Sequence, residues 1–120
     1  MGYIMQTVAY VDPAAASGNG LLKLSFNVSK EGSTGQYVPA NALIHAVVCK
    51  ANTDRAGVTL GLKEGTQDEL ISGADLLDGI TQTAAPMLHV QTRQELYCTG
   101  TVDAGGNVYS FTLIYEIVEL

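Results

Sequence analysis

Four stretches of the chain alternate apolar and polar side chains with a period of two, the signature of a strand with one face buried. Residues 21–29 put Leu22, Leu24, Phe26 and Val28 on one face and Lys23, Ser25 and Asn27 on the other. Val58, Leu60 and Leu62 alternate with Thr59, Gly61 and Lys63. Over residues 93–102, Leu96, Cys98 and Val102 oppose Glu95, Tyr97, Thr99 and Thr101. The last stretch sets Tyr109, Phe111, Leu113, Tyr115 and Ile117 against Ser110, Thr112 and Glu116. Ile114 and Val118 fall out of step there, apolar on a face that is otherwise polar.

Residues 37–50 follow a different pattern. Pro39 fixes its own φ and pushes Val38 toward an extended conformation. The run Leu43 to Cys49 is then apolar or small at nearly every position. Such a run predicts a strand over about 43–50 that is buried on both faces, around which the others are arranged. Residues 3–11 have strand composition and are expected as an edge strand or N-terminal arm within 1–20. Short strands are expected over 80–83 and after Pro86. Lys30–Gly35, Ala51–Gly57 and the Gly18-Asn19-Gly20 tip predict loops or turns, and Asp103–Asn107 a hairpin. Residues 64–79 break the alternation. With Ser72 as an N-cap and Gly79 as a stop, they predict one short helical turn. About eight short strands in one 120-residue domain make an all-β fold, an antiparallel β-sandwich of jelly-roll type. An immunoglobulin-like sandwich ranks second, because the chain has no Trp.

Composition adds a constraint on the surface. Hydrophobic residues make up 47% and charged ones 15%, against a usual ~25% charged. So low a charge implies that much of the surface is neutral or is covered by other subunits. The net charge of −6 is uneven: residues 1–63 carry +2 and residues 64–120 carry −8. An acidic half repels phosphate, which argues against nucleic acid as a partner. No apolar run approaches the ~20 residues of a membrane helix, so no membrane partner is expected. No signal peptide is visible.

Candidate chemistry is sparse. His45 and His89 have no Cys or His near them at metal-ligand spacing, and are expected as core or interface residues. Cys49 and Cys98 both fall in expected strands and read as buried thiols; whether they are bonded is open. Glu64, Asp68, Glu69, Asp75 and Asp78 lack the alternating loop of a calcium site and read as a solvated face. The glycines form no phosphate-binding pattern. Tyr10, Tyr37, Tyr97 and Tyr109 are candidate stacking residues for a carbohydrate- or receptor-binding module. No triad or nucleophile elbow is visible. The expectation is a chain that is not an enzyme, with no catalytic, cofactor or metal residues. Its interaction candidates are Ile114 and Val118, which suit an oligomer interface.

One resemblance sharpens this picture. Val38-Pro39-Ala40-Asn41-Ala42-Leu43-Ile44, then Val58-Thr59-Leu60-Gly61-Leu62, then Ile71-Ser72-Gly73-Ala74-Asp75-Leu76, resembles in order the segments of small phage head-decoration or head-fibre proteins. The likeness runs over roughly residues 37–120. It departs at Leu62-Lys63-Glu64-Gly65 and in having no long fibre-like extension, which favours a compact decoration subunit. The resemblance implies a jelly roll, a homotrimer and attachment to the major capsid protein or another virion protein. It implies location in the virion after synthesis in the host cytoplasm. The alternatives are the carbohydrate- or receptor-binding module and a tail or neck subunit.

Overall fold

The computed structural model describes residues 20–100 and 109–119. The strands in chain order are β1 (Leu22–Val28), β2 (Gly32–Val38), β3 (Ala42–Ala51), β4 (Arg55–Leu62) and β5 (Ile71–Leu76). They continue with β6 (Gln82–Ala84), β7 (Leu88–Val90), β8 (Gln94–Thr99) and β9 (Tyr109–Ile117). No helix occurs among the described residues. The expected strand over 3–11, the hairpin at 103–107 and most of the 1–20 arm lie outside them.

The strands form two antiparallel sheets. One has the order β1-β9-β3-β6, with β7 also pairing β3; the other has the order β2-β8-β4-β5. The pairing is nested: β1 with β9, β2 with β8, β3 with β6 and β7, β4 with β5. The two inner faces share one core. Ile44, Val47, Phe111 and Leu113 come from the larger sheet; Val38, Val58, Leu60, Leu76, Leu96 and Cys98 come from the smaller. At its centre Phe111 packs against Phe26 at 5.5 Å and Tyr109 at 6.1 Å, within the range of favourable tilted and edge-on aromatic pairs. Each fully buried Leu or Ile contributes about 1.5–3 kcal/mol relative to exposure, so burial rather than local propensity selects these strands.

The alternating stretches form strands as expected, with their apolar sets facing inward. Other expectations fail, among them the turn over 51–57, where Ala51 ends β3 and Arg55 opens β4. The 72–79 segment is not a helical turn: residues 71–76 are β5. Its register to β4 shifts twice; the shift between Ile71 and Ala74 leaves an extra residue in β5, which turns Ile71 and Leu76, residues of opposite parity, both into the core. Gly73, with φ 64, supplies the backbone irregularity that this requires. Residues 32–35, expected as loop, begin β2. That strand has almost no apolar face; pairing with β8 and the Thr34 Oγ1 hydrogen bond to the Leu96 carbonyl (2.9 Å) hold it.

β3 is the central strand of its sheet, paired on both sides. Its inner positions Ala42, Ile44, Val47, Cys49 and Ala51 are buried, but Leu43, Ala46 and Val48 on the outer face are only half-buried. The expectation of burial on both faces is therefore corrected. Among the described residues, no layer covers that side.

Candidate functional site

The two outer faces of the sandwich differ in chemistry. That of the smaller sheet is polar and internally engaged. Glu95 accepts a hydrogen bond from Gly35 N at 3.0 Å and pairs with Lys63 at 3.5 Å. Glu69 holds the 62–70 loop over this face. Its carboxylate accepts from Leu62 N at 2.8 Å and Thr66 N at 2.7 Å. Burial pushes the Glu69 pKa up, but these backbone hydrogen bonds, aided by the Thr66 side chain, outweigh it and hold the carboxyl below its ordinary range.

The outer face of the larger sheet carries an apolar stripe. Ile114 on β9 lies opposite Lys23 of β1 and Ala46 of β3. Leu43 lies opposite Glu116, and Val48 opposite Thr112. The β3–β9 register slips by one residue between Ile44 and Ala46, leaving His45 as the extra residue of a bulge. His45 Nε2 donates to the Glu116 carboxylate at 2.5 Å, with both side chains about one-third exposed. On the other side of Leu43 stands His89, whose Nε2 donates to the Val118 carbonyl at 2.7 Å. Val118 N in turn donates to the Asn41 carbonyl at 2.8 Å. Ile114, Leu43, Ala46 and Val48 thus form a half-buried apolar strip at whose end both histidines are tied down by hydrogen bonds.

The remaining candidates disperse. Asp68 accepts from Thr66 Oγ1, Asp75 from Gly57 N, and Asp54 from Asp78 N. Among the described residues no three His, Cys, Asp or Glu side chains converge as metal ligands. Cys49 and Cys98 are buried and not bonded to each other. Burial raises both thiols; for Cys98 burial and then the Glu31 charge push it to about 12. Of the described candidate tyrosines, Tyr37 and Tyr97 share the outer face of the smaller sheet. Tyr109 is 1% exposed, and the Arg93 guanidinium lies 3.9 Å over the exposed Tyr37 ring. Tyr97 is half-buried, and Tyr10 lies outside the described residues.

Sequence reasoning singled out Ile114 and Val118 but missed Leu43, Ala46 and Val48. Their signal is the nearly unbroken apolar run of β3, which by sequence alone looks the same as a strand buried on both faces. The His45–Glu116 pair had no sequence signal, since its register depends on the bulge.

Comparison with known proteins adds the fold. No protein-family profile and no curated protein matches this chain. Among solved structures, a chain of the acidic stable capsid structure of Helicobacter pylori bacteriophage KHP30 superposes with a TM-score of 0.58 at 14% identity. The match covers 83% of this chain and 92% of that one. This chain shares that fold. A chain of the cyanophage Pam1 capsid asymmetric unit scores 0.40 at 10% identity over 94% of each chain. A proposed mannose-6-phosphate isomerase of Ralstonia eutropha scores 0.34 at 12% identity, over 82% of this chain and 76% of that one. The last two scores are too low to carry an argument.

Proposed function

We infer that this chain is a non-enzymatic structural protein of a bacteriophage virion, attached to or decorating the capsid as a symmetric oligomer. The observation that carries the reading is the shared backbone course with a chain of a phage capsid structure, over most of both chains. The nested pairing of first strand with last, second with last but one, and inward to β4 with β5 supports a jelly-roll assignment within the two-sheet fold. The mechanism is adhesion. Leu43, Ala46, Val48 and Ile114 offer an apolar strip bounded by fixed hydrogen-bonding groups, the arrangement of an interface core with a polar rim. Ile114 and Val118 are the interface candidates, a homotrimer is the assembly, and the major capsid protein or another virion protein is the larger partner. The site of action is the virion, after synthesis in the host cytoplasm.

The test is light scattering on the purified chain together with cosedimentation with heads of the phage that encodes it. A trimeric mass and saturable binding to heads are expected. A chain that stays monomeric at high concentration and leaves heads bare overturns the reading.

A further inference from the structure

A two-sheet sandwich has four open edges, and here three are blunted. β2 shifts register between Ser33 and Tyr37, and β5 shifts twice against β4. The β6–β7 edge is interrupted at Pro86, which lacks a donor, and at Met87, with φ 47. Irregularities of these kinds keep an edge from pairing with another chain. β1 has none of them. Its register to β9 runs unbroken through seven pairs, from Leu22↔Tyr115 to Val28↔Tyr109, and no described strand pairs its other side. Lys23 is its one charged side chain.

The inner face at this edge is also under-covered. Val28 and Phe26 are 6% and 9% exposed, but Leu24 and Leu22, nearer the start of β1, are only partly buried. Opposite Leu22, Tyr115 is partly buried; Leu113, opposite Leu24, is 1% exposed, and Ile117, two residues beyond Tyr115 on β9, is 46% exposed. An unguarded backbone edge and an incomplete apolar face therefore coincide on one strand.

We propose that the β1 edge is a strand-docking site that takes residues 3–11 of a neighbouring copy, closing the oligomer by strand exchange. Tyr3-Ile4-Met5-Gln6-Thr7-Val8-Ala9-Tyr10-Val11 carries no charge and is rich in β-branched and aromatic residues. It suits an added strand, whose backbone supplies the missing hydrogen bonds and whose apolar side chains extend over Leu22 and Leu24. Ten residues, Asp12–Leu21, separate it from β1. That exceeds the usual hairpin loop of about 2–5 residues. Extended, it reaches ~33 Å, enough to leave its own subunit. Each copy gives one strand and receives one, so the contact is head-to-tail and closes into a ring when the rotation allows. The proposal rests on the oligomer reading above.

The test is disulfide trapping in the full chain. Single cysteines replace each position from Tyr3 to Val11 in turn, in chains co-expressed with a Lys23→Cys chain. Cys49 and Cys98 are buried, and each single variant alone serves as the background. Mild oxidation is expected to give a covalent heterodimer at one or two arm positions. Combining that arm cysteine with Lys23→Cys in one chain is expected to give a ladder ending at the oligomer. An intrachain link alone overturns the exchange. Absence of any link in a chain that light scattering shows to be an oligomer overturns it too, and leaves the oligomer reading standing. A monomer overturns both. Removal of residues 1–11 is expected to yield a folded monomer by circular dichroism and light scattering; an oligomer of unchanged subunit number counts against the arm.

Discussion

At the residue scale, the side chains with perturbed titration are structural, and their behaviour can be read in solution. Glu69 has its folded pKa lowered from 4.5, with burial opposing and backbone hydrogen bonds from Leu62 and Thr66 prevailing. Its contribution to stability is therefore fully present above the unfolded value and is lost as pH falls through the folded one. Glu69→Gln should lower stability at pH 7 by about 1–2 kcal/mol, the worth of hydrogen bonds to a charged acceptor reduced for partial exposure. Urea midpoints should show this deficit shrinking between pH 5 and about pH 3; a deficit constant across that range would mean the charge is irrelevant. The two thiols give a second check. At pH 8 folded Cys98, pushed up to about 12 from 9.0, holds roughly a thousandfold less thiolate than an ordinary cysteine, and burial also raises Cys49. Ellman's reagent should find almost no reactive thiol in the native chain and two in denaturant. Prompt native labelling of either would contradict the packing described.

At the scale of elements, the 62–70 loop folds back across β4, and Gly61 is the residue that lets it. A Cβ there would meet the backbone of Gln67 and Asp68 and the Glu69 carboxylate. Gly61→Ala should displace the loop and cost about 1–3 kcal/mol, a typical overpacking penalty, seen as a lower thermal midpoint. Unchanged stability would show that the loop gives way freely. How much of the fold was legible follows the same logic. β1, β4, β8 and β9 declare themselves because their large apolar residues recur mainly at every second position. β5 does not, because its one extra residue sends residues of opposite parity into the core; Ile71 and Leu76 then look like neither a strand nor a good helix. β2 is hidden for another reason: Gly32-Ser33-Thr34-Gly35-Gln36 buries no fully apolar side chain, and only its partner β8 makes it a strand. The candidate site was half legible. Ile114 broke the alternation of its strand, whereas Leu43, Ala46 and Val48 were masked by sitting in a uniformly apolar run.

At the scale of the whole molecule, the question is which broad face meets a partner. The faces belong to a five-stranded and a four-stranded sheet, and overall composition cannot separate them. What separates them is where the side chains are already satisfied. On the smaller sheet, Glu95 and Glu69 spend their acceptors on the chain's own backbone, and Lys63 leans on Glu95. On the larger sheet, Ile114, Leu43 and Val48 stay half-exposed with no layer of described residues above them, while His45, Glu116 and His89 are held at one end. Association should therefore depend on Ile114. Ile114→Glu puts a carboxylate in the middle of the strip, opposite Lys23 of β1, where a partner would have to desolvate an ion pair in place of an apolar side chain. The outward position spares the core, so the thermal midpoint of the isolated chain should change little. The oligomer should weaken by at least about 100-fold in dissociation constant, roughly 2.7 kcal/mol. Ser33→Glu, exposed on the smaller sheet, is the matched control and should leave assembly unchanged. Light scattering across a dilution series decides between them. If Ser33→Glu dissociates the assembly and Ile114→Glu does not, the partner sits on the other sheet, and the apolar strip of β3 and β9 is not its seat.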